Sequence, residues 1–276
     1  MTLCQSFRDL SHQTWMQLAK ARSVDHQMLE ESVTDILMVD LKFRHPFNVI
    51  TKTFTRSEEF INGADWEWWF VDSSGSKGIG FRVQAKIINF ETNSFKQLHY
   101  RSKKSAITQT EKLIDDARNA TPPLIPIYCL YIHCDKLLSS FNIVDLYIRG
   151  ILFNCTVEHL GCSILSAYKV KDLKKTKKQH IKEIFEYVKP WHSLVCPPII
   201  NSNTNLSLPE KTWAWVKESN LAGELSNDHL ELPNNGIVPD YVKDIMNEHR
   251  EKPIYDNHYN LDERFKSLGG IMIVKE

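Results

Sequence analysis

The 276-residue chain carries 34 basic and 34 acidic side chains, so no global positive field exists to gather a nucleic acid. Attraction to an anionic ligand must come from a local patch. A hydrophobic content of 42% is enough to bury one sizeable core at this length.

The N-terminus lacks the basic-then-apolar layout of a secretory signal. No apolar run approaches the about 20 residues that span a bilayer. A soluble, cytoplasmic protein with no membrane partner is expected. Cys4, Cys129, Cys134, Cys155, Cys162 and Cys196 are scattered without a CxxC pair and match no common zinc spacing. Reduced thiols are therefore expected rather than a disulfide framework.

In chain order, residues 3–22 place Leu10, Trp15, Leu18 and Ala19 near helical spacing. Residues 28–45 predict a second helix, with Leu29, Val33, Ile36, Leu37 and Leu41 on one stripe and Pro46 ending it. FNVITKTFT (47–55) is rich in β-branched and aromatic residues and predicts a strand. ADWEWWFVD, the turn SSGSKG and IGFRVQAKIIN then predict a hairpin.

A loop over 90–104 contains the basic RSKK, and 105–119 has helical spacing with Ser105 as a candidate cap. LIPIYCLYIH (124–133) suits a strand buried on both faces, and CSILSAYKV (162–170) reads the same way. The stretch 141–160 is ambiguous. A helix is expected near 176–188, then a Pro/Asn/Ser-rich connection, helices near 210–219 and 238–250, and a terminal strand, GGIMIVKE. This order predicts an α/β fold, a mixed sheet covered by helices.

Side chains alternate faces along a strand, so Asp65, Glu67 and Trp69 share one face and Gln84 and Lys86 share another. If the hairpin brings those faces together, an acid, an amide and an ammonium converge. Asp65 and the Gln84 carbonyl would offer hard oxygens to a Mg²⁺-like cation. Lys86 would orient or deprotonate a water, or stabilise charge on a phosphate. Lys86 could equally snorkel to the rim or pair with Asp65. The aromatics of WEWWF suit a core better than a stacking platform.

Asp65 followed by Gln84-Ala85-Lys86 on the next strand resembles the PD-(D/E)XK nuclease superfamily, in its Mrr-like, restriction-endonuclease-like branch with a QxK motif. LEESVTDIL (29–37) is similar to the opening helix of that branch, with Glu30 at the place of its acid. More narrowly, the chain resembles a prokaryotic family linked to anti-phage defence nucleases.

The resemblance implies a restriction-endonuclease-like core over residues 1–170 and a C-terminal α-rich elaboration over 171–276. It implies Mg²⁺- or Mn²⁺-dependent hydrolysis of DNA, with Glu30, Asp65, Gln84 and Lys86 catalytic. Asp65, Gln84 and the Ala85 backbone carbonyl would hold the metal. A Gln in place of an acid removes one negative charge, which Glu30 or Glu67 could restore. Gln109 and Lys112 on the following helix, and Lys103 and Lys104 in the basic loop, are candidate phosphate contacts. A homodimer and a defence-system partner protein are candidate assemblies. The alternative is a catalytically degenerate member, acting as a nucleic-acid-binding or protein-interaction module.

Overall fold

The structure is a computed structural model that describes residues 1–54, 65–103, 105–135, 156–196, 206–223, 232–251 and 268–276. Helices α1 (Leu3–Ser23) and α2 (Glu30–Arg44) precede β1 (Val49–Thr53), β2 (Trp66–Val71) and β3 (Gly78–Ile87). Then come α3 (Gln109–Asn119), β4 (Ile125–Tyr131), β5 (Cys162–Ser166), α4 (Ala167–Lys174) and α5 (Ile181–Ile184). The short β6 (Lys189–Pro190), α6 (Leu208–Glu218), α7 (Asp240–Glu251) and β7 (Gly270–Lys275) complete the order.

The strands form one mixed sheet in the order β1-β7-β2-β3-β4-β5-β6. β2 and β3 are the expected antiparallel hairpin, while β3 runs parallel to β4 and β7 parallel to β2. The last strand therefore lies between β1 and β2, and residues after 170 supply both β6 and β7 to the same sheet. A boundary at residue 170 would cut through that sheet.

Each face of the sheet has its own core. On one, Trp66, Trp68 and Phe70 of β2 and Val83 of β3 pack with Leu37 and Leu41 of α2. On the other, Trp69 and Val71 pack with Leu113 and Ile114 of α3 and Ile245 of α7. All six residues of β2 are buried, so the WEWWF aromatics are core side chains.

Several boundaries move for local reasons. The α3 helix begins after Thr108, not Ser105, because Thr108 and Glu111 form a reciprocal capping box. Those Thr108 hydrogen bonds hold the Glu111 carboxyl down at about 2. The strand read over 162–170 stops at Ser166; Ala167, Val170 and Leu173 are buried at helical spacing in α4 instead. The helix expected near 176–188 shrinks to α5 and a following 3-10 turn, Phe185–Tyr187.

On α2, Val33, Leu37 and Leu41 face inward as expected, but Leu29 and Ile36 do not: they are 66% and 43% exposed. The expectation of free thiols is also corrected. Cys4, in the first turn of α1, is disulfide-bonded to Cys196 across 192 residues of sequence. Cys129 and Cys162 are buried free thiols and Cys134 is buried; Cys155 and the ambiguous 141–155 lie outside the described residues.

Gly80 of β3 is where the indole of Trp69, its cross-strand neighbour, finds room. A Cβ there would lie 2.7 Å from Trp69 Cζ2 and 2.4 Å from Leu124 Cδ2. Gly80→Ala is expected to cost about 1–3 kcal/mol by overpacking, measured by urea denaturation.

Candidate active site

β3 lies between two strands, yet Arg82, Gln84 and Lys86 alternate along it and are all buried. A buried polar group without a partner costs on the order of 1–3 kcal/mol, and a charge more. Each of the three meets that demand differently.

Arg82 pairs at 2.8 Å with both Glu67 and Asp116. Glu67 also accepts hydrogen bonds from Trp69 Nε1 at 2.6 Å and from the Tyr241 hydroxyl. Burial raises the Asp116 carboxyl above its ordinary value, with the Arg82 guanidinium opposing the shift. Glu67, expected as a supplementary metal ligand, is thus committed to a separate buried ion cluster. Sequence alone does not single out Arg82, because its second acid lies on α3, 34 positions later.

Asp65 stands immediately before β2 and is held by its backbone. Its N–H donates to Val83 O at 2.9 Å, and its carbonyl accepts from Gly269 N–H at 2.6 Å. The adjoining Gly270 permits this close approach, since a Cβ there would lie 2.6 Å from the Trp66 ring. The Asp65 carboxylate turns to β3, accepting from the Ala85 N–H at 2.8 Å and from the Gln84 amide nitrogen. Gln84 Oε1 in turn accepts from Gln109 Nε2 at 2.7 Å.

Lys86 lies 3.3 Å from Glu30, the first residue of α2. Burial lifts the Glu30 carboxyl to about 7; the Lys86 ammonium opposes this and the Asp65 charge reinforces it. Nearby, Thr34 of α2 shares a 2.7 Å hydroxyl contact with Tyr131 and donates to the Glu30 carbonyl at 2.9 Å. Glu30 and Asp65 open onto a cleft of about 660 Å³ whose walls include Asp35, Val39, Thr53 and Ala85.

Four of the sequence-predicted residues, Glu30, Asp65, Gln84 and Lys86, are therefore linked in two contacting pairs, and Gln109 extends the chain. Lys112 lies one turn further along α3 and is half-buried; Lys103 is exposed in the preceding loop. Lys104 lies outside the described residues. Composition and spacing give no sign of Thr34 or Tyr131; for Gly269 the visible trace is the Gly-Gly step at the start of β7.

Among the described residues, no group of three or more His, Cys, Asp or Glu side chains is arranged to hold a metal ion. Of the sequence-predicted ligands, those whose residues line the cleft are the Asp65 and Glu30 carboxylates and the Ala85 carbonyl, which accepts from Gln84 Nε2 at 3.2 Å. Gln84 presents nitrogen to Asp65, so its oxygen would join them only if the amide turned over and Gln109 turned with it. An all-oxygen set with so few protein ligands suits Mg²⁺, which keeps several waters.

A mixed sheet with helices on both faces, and a polar cluster at one end of its central strands, defines an α/β protein. The chain belongs to DUF6615, a family of unknown function, whose family model matches residues 3–275. No curated protein and no solved structure matches it. No helix among the described residues is long and apolar enough to cross a membrane.

Two measurements probe the cluster. In a carboxyl NMR titration Glu30 should titrate near 7, and Lys86→Met should move it higher, because the ammonium lowers it. A carboxyl raised on folding binds its proton more tightly in the native state. Glu30 should therefore make stability fall as pH rises from about 4.5 to about 7, a slope Glu30→Gln abolishes. Separately, Glu67→Ala should destabilise by about 3–5 kcal/mol in chemical denaturation, because Arg82 would lose a buried partner.

Proposed function

We propose that the protein is a metal-dependent nuclease that hydrolyses DNA phosphodiester bonds in the cytoplasm, in prokaryotic host defence. One observation carries the reading: Asp65 and Glu30 line one cleft, and each holds its predicted partner, Gln84 and Lys86, within the 57 positions from 30 to 86. That convergence supports the resemblance to the QxK branch of the PD-(D/E)XK superfamily. A restriction-endonuclease-like core is the finer fold we assign to the sheet.

Mg²⁺ or Mn²⁺, held by Asp65, the Ala85 carbonyl and Glu30, with Gln84 joining on reorientation, would polarise a phosphate and acidify a bound water. The Lys86 ammonium donates to the phosphate or orients the attacking water. Glu30, with a carboxyl at about 7, holds Lys86 and can exchange a proton near neutral pH. Gln109 positions Gln84, while Lys112, Lys103 and Lys104 supply phosphate contacts along the approach to α3. A second copy and a defence-system partner fit the same setting.

A second reading has its own observation. Gln84 faces Asp65 with nitrogen, closing a hydrogen-bonded chain that needs no cation. That favours a degenerate nuclease fold retained as a nucleic-acid-binding or protein-interaction module.

Plasmid and linear DNA incubated with Mg²⁺, Mn²⁺ or EDTA separate the two. The nuclease reading expects metal-dependent cleavage that Asp65→Ala and Lys86→Ala each reduce by at least about 10²-fold. It also expects cleavage to increase as pH rises through about 7, where Glu30 gains its charge. Cleavage that survives both substitutions sinks the site assignment. Salt-sensitive binding without cleavage supports the module, and neither cleavage nor binding leaves the protein-interaction role.

A further inference from the structure

Helix α2 has two apolar faces. Val33, Leu37, Met38 and Leu41 point inward and are at most 2% exposed. On the opposite side Ile36, Val39 and Phe43 repeat at i, i+3 and i+7 and are 43%, 65% and 84% exposed. Leu29 extends that side beyond one end of the helix, and Phe47, 90% exposed, follows the other. An i, i+3, i+7 repeat is the seam with which one helix receives another, and exposed apolar stripes of this extent mark interaction surfaces.

The charges beside the stripe indicate what it receives. Along one flank, Glu31 and Asp35 occupy the N-terminal half and Lys42 the C-terminal half, all exposed. Arg44 is turned away toward Asp9 and Gln13. In a parallel copy each flank meets the opposite flank of its partner, so Asp35 and Lys42, which share a flank, would not meet. An antiparallel copy, related by a twofold axis near residues 38 and 39, sets Asp35 against Lys42 twice and Ile36 beside Phe43. The helix is thus self-complementary in the way an isologous interface requires. Residues 29–47 carry four acids (Glu30, Glu31, Asp35, Asp40) against two bases (Lys42, Arg44), which disfavours an anionic membrane as the occupant.

We propose that a second copy of this chain docks antiparallel on the outer face of α2, forming a twofold-symmetric homodimer. Asp35 and Val39 also wall the cleft at Glu30, so the second copy would complete the outer rim of each candidate active site. The interface stands on exposure and charge alone and is independent of any metal or nuclease chemistry. One helix pair is small for a permanent interface, so reversible association in the micromolar range is expected.

Sedimentation velocity across a concentration series tests this on the full chain, with circular dichroism and melting temperature confirming that each variant is folded. Wild type should pass from monomer to dimer, and Phe43→Glu and Ile36→Glu should be monomeric at every concentration. Asp35→Lys or Lys42→Asp alone should weaken association about tenfold, and the double reversal should restore it. A wild type monomeric throughout, or a dimer indifferent to Phe43→Glu, overturns the proposal. A double reversal no better than either single one overturns the antiparallel pairing. Monomer that floats with uncharged phosphatidylcholine vesicles would assign the stripe to lipid instead and overturn the dimer. The readout is mass rather than cleavage, so failure here is separate from failure of the nuclease reading.

Discussion

Everything at the candidate site follows from three polar side chains on one alternating row of a buried strand. β3 is hydrogen-bonded along both edges, so Arg82, Gln84 and Lys86 cannot reach bulk water without a partner. The fold answers each with an element brought from elsewhere. Arg82 draws in Glu67 from β2 and Asp116 from α3; Gln84 draws in Asp65 and Gln109; Lys86 draws in Glu30 from α2. Buried polar groups are costly unless fully paired. The same contacts that satisfy the strand therefore fix where α2, α3 and the start of β2 must stand.

The three solutions differ in what they leave over. Around Arg82 two acids share one base, and Trp69 and Tyr241 seal the Glu67 carboxylate, so the cluster is closed on its Glu67 side. Around Lys86 a single acid borders a cleft, and its carboxyl sits close to neutrality because burial and the base pull in opposite directions. A closed, paired cluster is suited to holding structure. An open one with a carboxyl near 7 is suited to exchanging protons or ligands.

Much of this was legible because strand geometry has a period of two. The faces of Asp65, Gln84 and Lys86 could be read directly, and Glu30 stood out against the apolar stripe behind it. Contacts between elements remote in sequence were not legible. Nothing local tells that Asp116 will join Arg82, that Cys4 will meet Cys196, or that Gly269 will hold Asp65. Apolar periodicity misled on α2 for a definite reason. Leu29 and Ile36 fit a helical stripe, but a helix with apolar residues on both sides offers two stripes, and type alone does not say which faces the core. The position of β7 was equally hidden, since a strand's sequence records that it is buried and not who its neighbours are.

The place of β7 has a consequence for how the molecule is made. It separates β1 from β2, and the residue before it anchors the backbone of Asp65. On the ribosome, the residues before β7 therefore emerge with a gap one strand in from the edge of their sheet. Two strand edges wait unpaired, which is a liability for association with other chains. Asp65 gains one of its two backbone anchors only when this strand slots in, so a chain that stops short of it lacks the hydrogen bond from Gly269.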